Sequence, residues 1–442
     1  MHPSNIRLNM TDQLHAQSQT SSLRSALGPG LLMAAAAVGV SHLVQATRAG
    51  AEYGIALLLL LVIACALKYP FLEFGPRYAA ATGENLVNGY RRLGKWAFGI
   101  FLFVLCSTMF ITLASITLVT AGLTGLVFGL EQSIFLTACL VLGACVLIMV
   151  IGSYAGLDLL MKIIMSLLAL ATVFAVALAL GNQPSLEPLA QSLTQDDLLT
   201  GATLAFVLAM LGWMPIPLDF AAVHSIYSQQ RTHLTGQRPS IRHASLDFAI
   251  GYVGAVFLAV CFLLLGALTM YGSGTAFSNN AIEFAGQLTQ LYSQNLGQWS
   301  QPLIAFAALA TMFSTALTVA DCYPRIWRVT LAHLFNPDID QVAASPPPPD
   351  RLRHAGIMLL VCLGTLGIIA LFGRNFRPLI DFTTTVAFLA APVIGWMNLK
   401  LITGPHTPAH ARPGRLLRMI AWTGMAFLIV LSGSWLVWRL TS

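Results

Sequence analysis

The chain has 442 residues, of which 57% are hydrophobic and only 9% charged, and its formal net charge is +6. A soluble domain carries roughly a quarter charged residues, so this composition excludes an ordinary soluble protein and implies a polytopic membrane protein. The basic residues fall in short loops between apolar runs, the pattern of cytoplasmic loops, which sets aside nucleic acid as a partner and makes the lipid bilayer the surroundings of the chain. Seven cysteines, Cys65, Cys106, Cys139, Cys145, Cys261, Cys322 and Cys362, lie mostly inside apolar runs without CxxC spacing, so neither zinc nor disulfides are indicated.

The first 27 residues are polar, lack the apolar core of a signal peptide, and read as a disordered cytoplasmic tail. Apolar runs of the length that crosses a bilayer, about 20 residues, follow near 31–50, 54–72, 96–120, 133–153, 157–181 and 201–225. Five more lie near 247–271, 300–320, 355–373, 378–402 and 417–438, which makes eleven spans and puts the two ends on opposite sides. With the N-terminus inside, seventeen of the 23 Lys and Arg residues fall in cytoplasmic segments, three outside (Arg374, Arg377, Arg439) and three within spans (Arg48, Lys68, Lys162). Positive loops stay cytoplasmic, so the chain is expected in the plasma (inner) membrane with its N-terminus cytoplasmic and its C-terminus outside. The run Ser345 to Asp350, SPPPPD, reads as a stiff linker in a cytoplasmic loop.

Two spans carry internal breaks. The first, Gly28 to Gly54, is interrupted at Gly39-Val40-Ser41-His42; the sixth, Gly201 to Tyr227, is interrupted at Gly212-Trp213-Met214-Pro215-Ile216-Pro217, where two prolines remove backbone donors. Non-helical backbone at membrane depth is tolerated only where it is buried in protein or lines a cavity. Broken spans in corresponding positions of two halves mark the binding site of an inverted-repeat transporter. The expected fold is therefore all-α and membrane-embedded, a five-plus-five inverted repeat. Residues 28–181 hold spans one to five, 182–404 hold spans six to ten, and 405–442 carry an eleventh span.

At Gly28-Pro29-Gly30-Leu31-Leu32 and Ala49-Gly50-Ala51-Glu52-Tyr53-Gly54 the chain resembles the first span of the Nramp family of divalent-metal transporters, with the spacing between the two blocks kept. The resemblance implies a LeuT-type fold. The family's Asp-Pro-Gly-Asn motif, whose Asp and Asn bind metal, corresponds here to Gly39, Val40, Ser41 and His42, and its Met-Pro-His motif to Met214, Pro215 and Ile216. The family's third-span acidic residues have no counterpart, because residues 97–120 contain no charged side chain, so Nramp-style proton coupling is not expected. The chain resembles a divergent member.

Weighed residue by residue, the candidate substrate-binding set is Gly39, Val40, Ser41, His42, Leu211, Trp213, Met214, Ile216 and Asp219. His42, Met214 and Asp219 are the candidate metal ligands: an imidazole, a soft thioether, and a carboxylate too costly at that depth to lack a partner or a use. The plainer roles are a core or capping histidine, a packing methionine, and an ion pair of Asp219 with Arg48, Lys68 or Lys162. Arg48 and Glu52 are four apart and read as a local pair, and Lys68 reads as snorkelling to the interface. No nucleotide-binding motif or nucleophile–base constellation is present, so neither an ATPase nor another enzyme is indicated, and no cofactor. The leading reading is a secondary transporter for a cation, a divalent metal by preference, working by alternating access, with a transition metal preferred over magnesium or calcium. The rivals are an anion or small organic solute on the same fold, and a non-transporting membrane sensor. A monomer is compatible with all of these.

Overall fold

The computed structural model describes residues 30, 33–34, 37–130, 133–151, 154–181, 201–274, 277–336, 338, 340, 351–372 and 376–441. The N-terminal tail, the polyproline run and the side chains of Asp158 and Lys162 lie outside what is described. Nine described helices are long and apolar enough to cross a membrane: Leu58–Thr82, Lys95–Phe128, Ile134–Ile151, Ile163–Gly181, Ile241–Thr269, Ser300–Phe335, Arg351–Phe372, Arg377–Thr403 and Arg415–Thr441. These are spans two to five and seven to eleven. Spans one and six are the interrupted pair, so the eleven-span plan holds, and the chain is an all-α, multi-pass membrane protein. Spans three and eight run well past the apolar runs that announce them, to Phe128 and Phe335.

The layers follow from which side chains find protein and which find lipid. Span eight is the most enclosed, whereas Leu59, Phe103, Leu140, Leu360 and Trp422 stand exposed on spans two, three, four, nine and eleven. A belt of bare apolar side chains is what a hydrocarbon environment requires. Among the described residues two shorter α-helices join spans. Leu86–Leu93 starts at Asn85, whose side chain accepts from Asn88 N, and Ala281–Leu296 starts at Asn280, which accepts from Ile282 N and Glu283 N. Each cap satisfies donors that a helix start leaves free.

Span one is laid along span seven at close range. The Asp247 carboxylate accepts from Gly30 N at 2.6 Å, and a Cβ built on Gly50 would collide with the backbone carbonyl of Leu263. The packing is reciprocal, because a Cβ on Gly266 would meet the carbonyl of Thr47. Small residues that let backbones approach are the main source of helix association in lipid, where burial of apolar surface gains little. Gly50→Val is therefore expected to pry the two spans apart at a cost of about 1–3 kcal/mol, read as a lower melting temperature of the detergent-purified protein. A variant melting with the native protein would remove this contact from the account.

Candidate substrate site at the two broken spans

Span six stops being helical at Trp213 and resumes at Phe220, with a cis Met214–Pro215 peptide between the halves. The last carbonyls of the first half have no helical partner, and a lysine supplies one. Lys68, 1% exposed, donates from Nζ to Leu211 O at 2.9 Å, Gly212 O at 3.3 Å and Met214 O at 2.7 Å. The interface reading of Lys68 is thus corrected: its stem turns inward because orphaned carbonyls at the negative end of a helix attract a cation. At the start of the second half, Phe220 N donates to Pro217 O, Ala221 N to Leu218 O and Ala222 N to Asp219 O. Those amides are engaged within the chain.

The first break is gentler than the sequence suggests. The chain bends at Val38–Gly39 and continues as a π-helix over Ser41–Ala46, a local widening of the kind common at functional sites. Hence Ser41 and His42 are not on unwound backbone. The Ser41 hydroxyl shares its single hydrogen between Ala37 O at 2.7 Å, a carbonyl at the bend, and His42 Nδ1 at 2.8 Å. His42 is fully buried; its Nε2 lies 2.8 Å from Ala255 O, its Nδ1 2.8 Å from the Ser41 hydroxyl, and its ring meets Phe262 edge-on. A carbonyl only accepts, so Nε2 carries the proton. Nε2 docks the π-turn on span seven, while Nδ1 is engaged within the turn itself. At Gly39, where the family motif has a carboxylate, a Cβ would sit 2.9 Å from the Thr315 methyl, so span eight fills that position.

Two small cavities flank the span-six break and share Thr112, Trp213 and Pro217 on their walls. One lies toward spans one and eight, where Val40, Ser41, Ile216 and Thr315 line it. The other lies toward spans three and ten, where Thr108, Leu218, Asp219 and Ala391 line it. Each has room for about one water-sized body. The structure thus brings Val40, Ser41, Trp213, Ile216 and Asp219 to cavity walls. It does not bring Gly39, His42, Leu211 or Met214, whose thioether is fully buried. Asp219 is half-buried and makes no capping hydrogen bond to the helix that follows it. Among the described residues no ion pair includes it, and none groups three or more His, Cys, Asp or Glu side chains in a metal-holding cluster. Sequence reasoning missed that Thr108, Thr112 and Thr315 line the cavities and that Lys68 holds the carbonyls of the span-six break. Only Lys68 carried a signal, a charge in mid-span.

Beyond the cavities, an alternating charge network joins spans one and ten. Arg48 reaches Asp381 through NH1 at 2.7 Å and NH2 at 3.3 Å, with Glu52 more distant at 3.4 Å. Arg377 also binds Glu52 at 2.7 Å, and Arg48 packs over the Phe206 ring at 5.0 Å. The local Arg48–Glu52 pair is therefore secondary to a long-range tie between spans one and ten, because a two-toothed guanidinium–carboxylate pair is the stronger geometry. Asp381→Asn is expected to loosen this tie, seen as faster maleimide labelling of an Ala37→Cys probe in the cavity wall. Equal labelling rates would deny the tie a closing role. His42→Ala is expected to lower the melting temperature by removing the span-seven hydrogen bond to Ala255 O, at about 1–3 kcal/mol; an unshifted melting temperature would contradict that docking role.

The comparisons with known proteins agree with this architecture. A family profile described as natural resistance-associated macrophage protein-like (Nramp) matches residues 30–438. An uncharacterized protein of Pasteurella multocida is 32% identical over 409 residues, 91% of this chain and 90% of that protein. The divalent metal cation transporter MntH of Bradyrhizobium diazoefficiens is 22% identical over 413 residues, 92% of this chain and 87% of that protein. Among solved structures, a mutant of the Eremococcus coleocola manganese transporter superposes with a TM-score of 0.69 at 16% identity, covering 93% of this chain and 85% of that chain. The fold is of LeuT type, and the chain belongs to the Nramp family.

Proposed function

We propose that this Nramp-family protein is a secondary transporter that moves a small inorganic cation, a divalent metal ion, by alternating access, with Asp219 as its carboxylate ligand. The observation that carries the reading is Asp219 itself, a half-buried carboxylate on a water-sized cavity beside a broken span, with no ion pair of its own among the described residues. An unpaired carboxylate at that depth is costly unless a cation visits it. The names of two relatives, a divalent metal cation transporter and a manganese transporter, support the same class. The N-terminus-inside orientation implied by the basic loops belongs to this reading.

Proton coupling through span three does not, because the helix has no ionisable carboxylate along its length from Lys95 to Phe128. The rivals are disfavoured by the local geometry. An organic solute exceeds the space at the break, and the half-helix amides that would receive an anion are already donating to Pro217, Leu218 and Asp219. Family and fold are those of membrane transporters rather than enzymes.

With the His42 and Met214 side chains off the cavity walls, the donors that remain are oxygen atoms: the Asp219 carboxylate and the hydroxyls of Ser41, Thr108, Thr112 and Thr315. Oxygen donors suit hard cations and discriminate poorly between manganese and magnesium, a softer selectivity than the ligand set in the sequence suggests. In proteoliposomes, Asp219→Asn is expected to reduce manganese uptake to background while Met214→Leu keeps the native manganese-to-magnesium preference, and a pH dye in the lumen should record no substrate-driven acidification. Full uptake by the Asp219 variant would defeat the ligand assignment. Robust proton entry would defeat the coupling statement.

A further inference from the structure

One buried charge is left over by this reading. Lys68 lies in mid-span two, and among the described residues no carboxylate pairs with it. An ammonium has three hydrogens, and here each has a carbonyl: Leu211, Gly212 and Met214. Those three oxygens converge because the half-helix Gly201–Trp213 ends there, with its dipole adding negative potential at the same point. Converging backbone carbonyls at the end of a broken helix are also what strips and holds a free cation in membrane proteins. The same oxygens cannot serve both.

We infer that the Lys68 ammonium is a tethered cation, permanently filling a cation-binding site that the backbone of span six makes. The consequence, which rests on the transport reading above, is that the cargo is confined to the neighbouring Asp219 cavity and is never coordinated by Leu211, Gly212 or Met214 carbonyls. A buried ammonium without a carboxylate in contact is tolerable because the carbonyls replace its water. Removing it leaves three inward carbonyls and a space the size of an ammonium group. A mere helix cap would leave a defect there. A true cation site would leave a vacancy that small cations refill.

The test is chemical rescue on the full-length detergent-purified protein. Lys68→Ala is expected to melt below the native protein and to recover by a saturable rise of several degrees with ammonium, methylammonium or sodium. The native protein and Lys68→Met, whose side chain fills the space, should not respond. Absence of any cation-dependent rise in Lys68→Ala beyond the native response overturns the inference. If Lys68→Ala is recovered only when methylammonium is present during extraction, the inference is supported; if it is lost with methylammonium and with choline alike, the inference falls. Equilibrium dialysis with manganese separates this from the transport reading. Native protein that binds no manganese beside a rescued Lys68→Ala sinks the transport reading alone, whereas native binding beside an unrescued variant sinks this inference alone.

Discussion

A helix interrupted at membrane depth leaves carbonyls and amides that lipid cannot satisfy, and the rest of this structure is arranged around meeting that demand. At span six the carbonyl end is met by the Lys68 ammonium, while the amide end folds its donors back onto Pro217, Leu218 and Asp219. At span one the break is reduced to a bend and a π-turn, with the Ser41 hydroxyl and the His42 ring taking up the remaining groups. With both breaks satisfied from within, the carboxylate of Asp219 stands out as the charged group on the cavity walls, and among the described residues no ion pair includes it.

The same demands explain how the family plan has been altered without losing its fold. A glycine at position 39 admits the Thr315 side chain of span eight, so the loss of a carboxylate there is matched by packing. Placing a histidine at position 42 gives span one a second anchor on span seven, between the Gly30–Asp247 contact and the close approach at Gly50. Span one is thereby held to span seven along one edge and to span ten through Arg48 and Asp381. The alternating access proposed for this chain needs such ties to break and re-form, and the Arg48–Asp381 pair, with Asp381 partly open to solvent, is better suited to that than the dry glycine contacts.

Much of the fold was legible in the sequence because hydropathy and interior prolines report directly on bilayer physics. The spans and the two breaks are found in the structure, and the connecting helices Leu86–Leu93 and Ala281–Leu296 were missed only because they are too short to register as spans. The site was less legible. Sequence places residues on a break but not the rotation of a helix, so Asp219, Ser41 and Trp213 reached cavity walls while His42 and Met214 turned into the core. Lys68 sits in a different span from the carbonyls it holds, and a contact across 143 to 146 positions leaves no local pattern to read. Threonines 108, 112 and 315 looked like ordinary small helix residues for the same reason.

The most direct measurement of the central claim is anomalous diffraction from manganese-soaked crystals of the native protein. The account predicts a single internal peak beside the Asp219 carboxylate, among the hydroxyls of Thr108 and Thr112, with the Lys68 ammonium still on its three carbonyls. A peak bounded by the Leu211 carbonyl and the Met214 sulfur, with Lys68 displaced, would contradict it.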